Sequence, residues 1–270
     1  MGLFIRLSLL MLLVACGTPA TVAPATTALP GMGATLNVFA AASLTDAFKE
    51  IGAAFETANN AKVVFNFAGS QQLAQQIVQG APVDVFASAN KTQLNSAAST
   101  GRIITTTAQT FVRNRLVVVF PKANPGGITS LQDLTKPGLK LDLADKSVPV
   151  GQYSLDMLDK ATKAGTYGTS FKDDVLKNVV SYEENVRSVL NKVTLGEADA
   201  GIVYTSDVAL IGDQIGQLEI PDALNTIATY PIATLTDSPN MALAASFVAY
   251  VLGSEGQAVL VRYGFIAATP

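Results

Sequence analysis

The stretch Leu36-Asn37-Val38-Phe39-Ala40-Ala41-Ala42-Ser43-Leu44-Thr45 changes its period part-way along. Leu36 to Ala40 is a short apolar run of buried-strand character. From Leu44 onward the apolar residues Leu44, Ala47, Phe48, Ile51 and Phe55 fall on one helical face. The two are joined only by the small residues Ala41-Ala42-Ser43. A strand that turns straight into a helix is the opening unit of an α/β fold.

Working outward, the order returns. Lys62 to Phe67 alternates as Val63, Phe65 and Phe67, and Leu73, Ile77 and Val78 then mark a helix ended by Gly80. Val83 to Ala87 reads as a third strand. Arg115-Leu116-Val117-Val118-Val119-Phe120-Pro121 is the most apolar strand candidate and opens a second series. That series continues with turn-rich Lys122 to Gly127, a short helix at Leu131 to Leu134 and a strand from Leu139 to Leu143. A helix follows from Tyr153 to Ala164, then another carrying Val186, Val189, Leu190 and Val193, and a strand from Ala200 to Tyr204. Two terminal helices, Asn240 to Leu252 and Ser254 to Tyr263, are split at Gly253. No internal repeat is apparent. The second series predicts a second lobe, with the terminal helices returning to the first.

The N-terminal residues lie outside this pattern. Arg6 precedes an apolar run from Leu7 to Ala15, and Leu13-Val14-Ala15-Cys16-Gly17 reads as a lipobox ending an export signal. The run is too short to span a bilayer. Cys16 is the only cysteine in the chain, which favours lipidation over a disulfide or metal role. From Thr18 to Thr35 the chain is uncharged and rich in threonine, alanine and proline, the composition of a flexible tether. About 235 residues follow it, enough for one large domain or two lobes.

Composition narrows the chemistry. Among 270 residues there is no histidine, and the net charge is −3 with no basic run. Nucleic-acid binding therefore has no electrostatic footprint. Lack of histidine removes the Ser-His-Asp and Cys-His arrangements and most zinc sites, although carboxylate-only or Ser-Lys catalysis stays open.

What stands out instead is a set of small or neutral residues at predicted helix starts. They are Ala41-Ala42-Ser43, Ala68-Gly69-Ser70, Val148-Pro149-Val150-Gly151 and Glu184-Asn185-Val186. A helix start exposes unpaired N–H groups and the positive end of the dipole, so it binds anions without formal charge. Ser43, with Asp46 three residues on, is either a capping-box residue or a hydroxyl donor to an anion. Ser70 repeats the arrangement, and Gly69 would let a ligand approach the backbone. Val148 to Gly151 is either a simple turn or a site where the Val150 N–H donates, with Gly151 permitting an unusual backbone angle. Val186 follows the candidate cap Asn185, and Arg187 beside it is expected to face the surface. Tyr204, at the C-terminal end of a strand, is either a half-buried aromatic or a direct oxyanion donor.

These residues carry a family resemblance. Val38-Phe39-Ala40-Ala41-Ala42-Ser43-Leu44-Thr45, Phe67-Ala68-Gly69-Ser70, Gly80-Ala81-Pro82-Val83-Asp84-Val85-Phe86-Ala87-Ser88, Val148-Pro149-Val150-Gly151, Glu184-Asn185-Val186-Arg187, Gly201-Ile202-Val203-Tyr204-Thr205-Ser206-Asp207 and Arg262-Tyr263-Gly264-Phe265 resemble the periplasmic molybdate-binding proteins of ABC transporters. The match runs from about Leu36 to Phe265 in the family's order. It departs at Val150, where alanine is frequent, and at Gly69, which replaces a serine.

The resemblance implies a type II periplasmic-binding-protein fold: two α/β lobes, each a mostly parallel sheet flanked by helices, with the ligand cleft between them. The expected organisation is a signal peptide at 1–15, a lipidated cysteine and tether at 16–35, lobe 1 at 36–114 and 232–270, and lobe 2 at 115–231. The implied ligand set is Ser43, Ser70, Val150, Val186 and Tyr204. These would hold molybdate or tungstate through hydrogen bonds to its oxygens and not by direct coordination of the metal, with no cofactor and no catalytic residue. The implied partners are an ABC permease and, through Cys16, the outer face of the cell membrane, with the protein a monomer that binds no nucleic acid. The near alternative is another tetrahedral oxyanion such as sulfate. The distant one is an exported α/β hydrolase, for which no Gly-x-Ser-x-Gly elbow is present. A donor-only pocket suits a fully deprotonated anion and leaves the proton of hydrogen phosphate without an acceptor.

Overall fold

The computed structural model describes residues 33–268, so the signal segment, Cys16 and most of the tether lie outside the described residues. The chain begins with β1 (Thr35–Ala41), a 3₁₀ turn (Ala42–Leu44) and α1 (Thr45–Asn59), then β2 (Lys62–Ala68), α2 (Ser70–Val78), β3 (Val85–Ala87), α3 (Lys91–Ala98) and β4 (Gln109–Asn114). A second series follows: β5 (Leu116–Pro121), β6 (Leu141–Ala144), α4 (Pro149–Ala164), α5 (Phe171–Leu176), β7 (Val179–Glu183), α6 (Val186–Thr194), β8 (Ala200–Tyr204), α7 (Thr205–Val208) and β9 (Ile215–Glu219). The chain closes with β10 (Ala228–Thr234), α8 (Met241–Leu252), α9 (Ser254–Arg262) and β11 (Ile266–Ala267).

Two sheets result, ordered β11-β4-β10-β3-β1-β2 and β7-β6-β8-β5-β9. In the first, β2, β1 and β3 pair in parallel, whereas β10 runs antiparallel between β3 and β4. In the second, β7, β6 and β8 are parallel and β5 runs antiparallel between β8 and β9. Most strands of each sheet share one direction, as expected, but the sheets are mixed. The first admits two strands of opposite sense, β10 and the short edge strand β11, and the second admits one, β5.

The crossings are short. Asn114 ends β4 and Leu116 begins β5, and the chain returns between Glu219 and Ala228. The boundary expected at 231/232 falls inside β10, because Ala228 and Thr229 already pair with β4 of the first sheet.

The expected apolar faces are the buried ones. Phe48 and Ile51 of α1 are fully enclosed. Phe48 meets Phe65, Phe111 and Phe247 at ring distances of 6.1, 5.8 and 6.0 Å, which ties α8 back onto the first sheet. Such aromatic contacts add to the area term of burial. Val78 departs from its predicted face: it is 46% exposed, at the end of α2.

Candidate functional site

The expected capping box at Ser43 does not form. Ala42 to Leu44 is a 3₁₀ turn, α1 starts at Thr45 after Leu44, and no side chain caps either element. The Ser43 hydroxyl lies instead 2.9 Å from the Tyr230 hydroxyl of β10. Ser70 is the first residue of α2, which Gly69 precedes as cap. Its Oγ accepts from the Ala89 N–H at 3.0 Å, so the serine proton is left to point elsewhere.

The three other candidates belong to the second half. Pro149 opens α4 and Val150 sits in its first turn, where a helix leaves its N–H groups unpaired. Gly151 has ordinary helical geometry, not the unusual angle expected of it; a Cβ there would meet the Asp145 and Ala144 carbonyl oxygens at 2.1 and 2.4 Å. It is a residue of close approach. Val186 is the first residue of α6, and Asn185 caps that helix by accepting from the Ser188 N–H at 3.0 Å. Tyr204 ends β8. Its hydroxyl is buried with no hydrogen-bond partner among the described residues. Burial, with Tyr230 nearby, holds its pKa well above the ordinary tyrosine value, so it remains a donor.

Ser43, Ser70, Val150, Val186 and Tyr204 all line one pocket between the two sheets. All five are at most 4% exposed. The rest of the lining is small or apolar apart from Asn185, and none of it carries a formal charge. The space enclosed among these residues is small. Neither serine faces a base: their partners are a tyrosine hydroxyl and a backbone N–H. No group of three or more metal-ligating side chains occurs among the described residues.

The sheets meet around the rim of this pocket. Gln71 Nε2 donates to the Glu184 carbonyl at 2.8 Å, Gln72 Nε2 to the Glu184 carboxylate at 2.9 Å, and Gln93 Nε2 to the Ser147 carbonyl at 3.0 Å. Gly69 makes the first contact possible, since a Cβ there would lie 2.4 Å from the Glu184 oxygen. The arrangement is a closed one.

Arg187 does not line the pocket, but neither is it a surface residue. Its side chain is 26% exposed and lies 2.8 Å from Asp207 in its own half and 2.8 Å from Asp46 across the cleft. Asp207 also accepts from the Tyr204 N–H at 3.1 Å. Burial raises the Asp207 pKa to about 6 against the opposing pull of Arg187. Sequence spacing missed this ionic triad because its members sit on three different elements. It also missed Tyr230 and Asn114, whose side chains meet behind Ser43: Asn114 Nδ2 is 3.3 Å from the Tyr230 hydroxyl.

Two α/β halves joined by short crossings around a small uncharged pocket have the architecture of a solute receptor. Residues 36–266 match the family model described as bacterial extracellular solute-binding protein, and the chain belongs to that family. It is 40% identical over 256 residues to the molybdate-binding protein ModA of Mycobacterium tuberculosis, covering 94% of this chain and 92% of that protein. Among solved structures, the periplasmic molybdate-binding protein of Azotobacter vinelandii matches with a TM-score of 0.75 at 18% identity, covering 87% of this chain and 100% of that one. The sulfate-binding protein SubI of Mycobacterium tuberculosis matches with a TM-score of 0.78 at 16% identity over 88% of each chain. At such identities the structural likeness is one of fold. The family is one of transport receptors, which agrees with the expectation that the chain is not an enzyme.

Proposed function

We propose that this protein captures molybdate, and tungstate with it, outside the cell membrane and delivers it to the permease of an ABC transporter. The observation that carries this reading is that Ser43, Ser70, Val150, Val186 and Tyr204, drawn from both halves, line one pocket with no charged side chain in its lining. A tetrahedral dianion offers only acceptors, and donors held in a dry site bind it strongly. Ser43 and Ser70 would grip it from the first sheet, and Val150, Val186 and Tyr204 from the second. The two sheets then act as lobes that the anion holds closed. The identity to ModA supports molybdate over sulfate.

Two finer parts of the proposal concern the cell envelope. The lipobox ending at Cys16 supports a lipid anchor on the outer face of the membrane, with the receptor acting as a monomer. Among the described residues no single helix is long and apolar enough to cross a membrane. Mass spectrometry of the purified N-terminus should find a diacylglyceryl cysteine, and Cys16→Ala should release the protein from the membrane fraction.

The deciding experiment is thermal unfolding with molybdate, tungstate, sulfate and phosphate in parallel. A ligand at a hundred times its dissociation constant stabilises by about 2.7 kcal/mol. Molybdate and tungstate should raise Tm at micromolar concentrations while phosphate leaves it unchanged. Equal stabilisation by sulfate would replace the proposal with a sulfate receptor.

A further inference from the structure

We infer that Asn114 and Tyr230, neither of which lines the pocket, set the direction of the Ser43 proton and thereby make the site selective for fully deprotonated anions. The inference rests on the anion-site reading above and extends it to two positioning residues.

The direction follows from counting donors. The Arg115 backbone N–H, which can only donate, lies 3.0 Å from Asn114 Oδ1, and Thr205 Oγ1 lies 3.0 Å from the same oxygen. This fixes the orientation of the amide, so Asn114 Nδ2 is the atom facing Ser206 Oγ at 2.8 Å and the Tyr230 hydroxyl at 3.3 Å. Tyr230 therefore accepts from Asn114. Its own proton has one good acceptor, Ser43 Oγ at 2.9 Å. The Tyr204 hydroxyl is also nearby, but it makes no hydrogen bond of ordinary geometry and competes less well for that proton. Ser43 Oγ, already accepting, keeps its proton for the pocket it lines. Tyr230 and Asn114 are both fully buried, so no bulk water competes for these groups. Burial also pushes the Tyr230 pKa upward, which keeps the chain of protons intact.

The consequence is a serine that donates and does not accept. Reversing the chain would turn the Ser43 lone pair towards the ligand, a poor partner for molybdate but a good one for the proton of hydrogen phosphate. Asn114→Asp performs that reversal. A carboxylate at this position accepts from Tyr230, Tyr230 accepts from Ser43, and the serine proton leaves the pocket.

The test is a double-mutant cycle read by titration calorimetry at pH 7.5. Tyr230→Phe should weaken molybdate binding about three- to tenfold, the weight of one neutral hydrogen bond. In a Ser43→Ala background the same substitution should change nothing. Equal losses in both backgrounds, or no loss in either, would overturn the inference. Should Tyr230→Phe fail to fold, Asn114→Asp decides the matter alone. A fall in molybdate affinity with a rise in phosphate affinity supports the relay. A parallel fall for both anions indicates simple charge repulsion and overturns it. If wild type binds sulfate and not molybdate, the proposed function fails while the cycle, run with sulfate, still tests the relay. If no tetrahedral oxyanion binds, both fail.

Discussion

Tyr204→Phe separates binding from folding more sharply than any other change at the pocket. The hydroxyl is buried and unpartnered in the closed protein, so it contributes no internal hydrogen bond that the substitution could break. The ring stays in place, packed edge-on against Tyr230 at a centroid distance of 5.9 Å. Folding stability of the ligand-free protein should therefore hold or rise slightly, because an orphan buried hydroxyl costs about 1–3 kcal/mol and is removed. Binding should suffer. A hydrogen bond to a charged group is worth about 1.5–3 kcal/mol, which corresponds to a loss of about ten- to 150-fold in molybdate affinity. Calorimetric titration gives the affinity and differential scanning calorimetry gives the Tm of the unliganded protein. Unchanged affinity would refute the donor role. A large drop in the unliganded Tm would show that the hydroxyl had a structural partner after all.

Three further outcomes are expected. Gly69→Ala keeps an allowed backbone angle, φ −58°, but places a Cβ 2.4 Å from the Glu184 oxygen across the cleft. Overpacking of this kind costs about 1–3 kcal/mol; it should weaken molybdate binding roughly five- to 150-fold and leave the unliganded melting curve unchanged. Arg187→Met strips the partner from buried Asp207, and removing one member of such a pair costs about 3 kcal/mol. The loss in Tm should be larger at pH 8 than at pH 5, since a carboxyl already raised to about 6 rises further without the guanidinium and is neutral at the lower pH. Asp142→Asn addresses a fully buried carboxylate on β6 with neither oxygen hydrogen-bonded. Burial, with Glu183 nearby, raises its pKa from 3.8 to about 7. A folded-state pKa above the unfolded one means that stability falls as pH climbs from about 4 to 7. Asparagine should abolish that slope in chemical denaturation series, so that its stability relative to the parent protein rises between pH 5 and pH 8.

The parts of the fold that could be read in advance are those where one face is buried and the period is clean. Leu36 to Phe55 is the plainest case, since a strand run passes directly into a helical stripe and nearly every apolar residue in it is enclosed. Strand β10 was not visible because Pro231 sits within it, and proline argues against a central strand. The sheet tolerates it because the pairing with β4 shifts register between Tyr230 and Pro231. Helix α3 buries only Leu94 and Ala97, too thin a stripe to announce itself.

At the pocket, the five direct candidates were legible because each is local to a strand end or helix start. The supporting residues were not. Tyr230 reaches Ser43 across 187 positions of sequence and Arg187 reaches Asp46 from a helix of the other half, and nothing in the spacing of either encodes the meeting.

The order of strands carries a consequence for biogenesis. The second sheet is made wholly from Leu116–Glu219, whereas β10, the ribbon that joins β3 to β4, arrives only at Ala228–Thr234. A chain threading out of an export channel N-terminus first can thus complete its middle portion while β3 and β4 still expose unpaired edges. Until the last residues emerge, those edges are the places where misassembly begins and where a holding chaperone has most to cover.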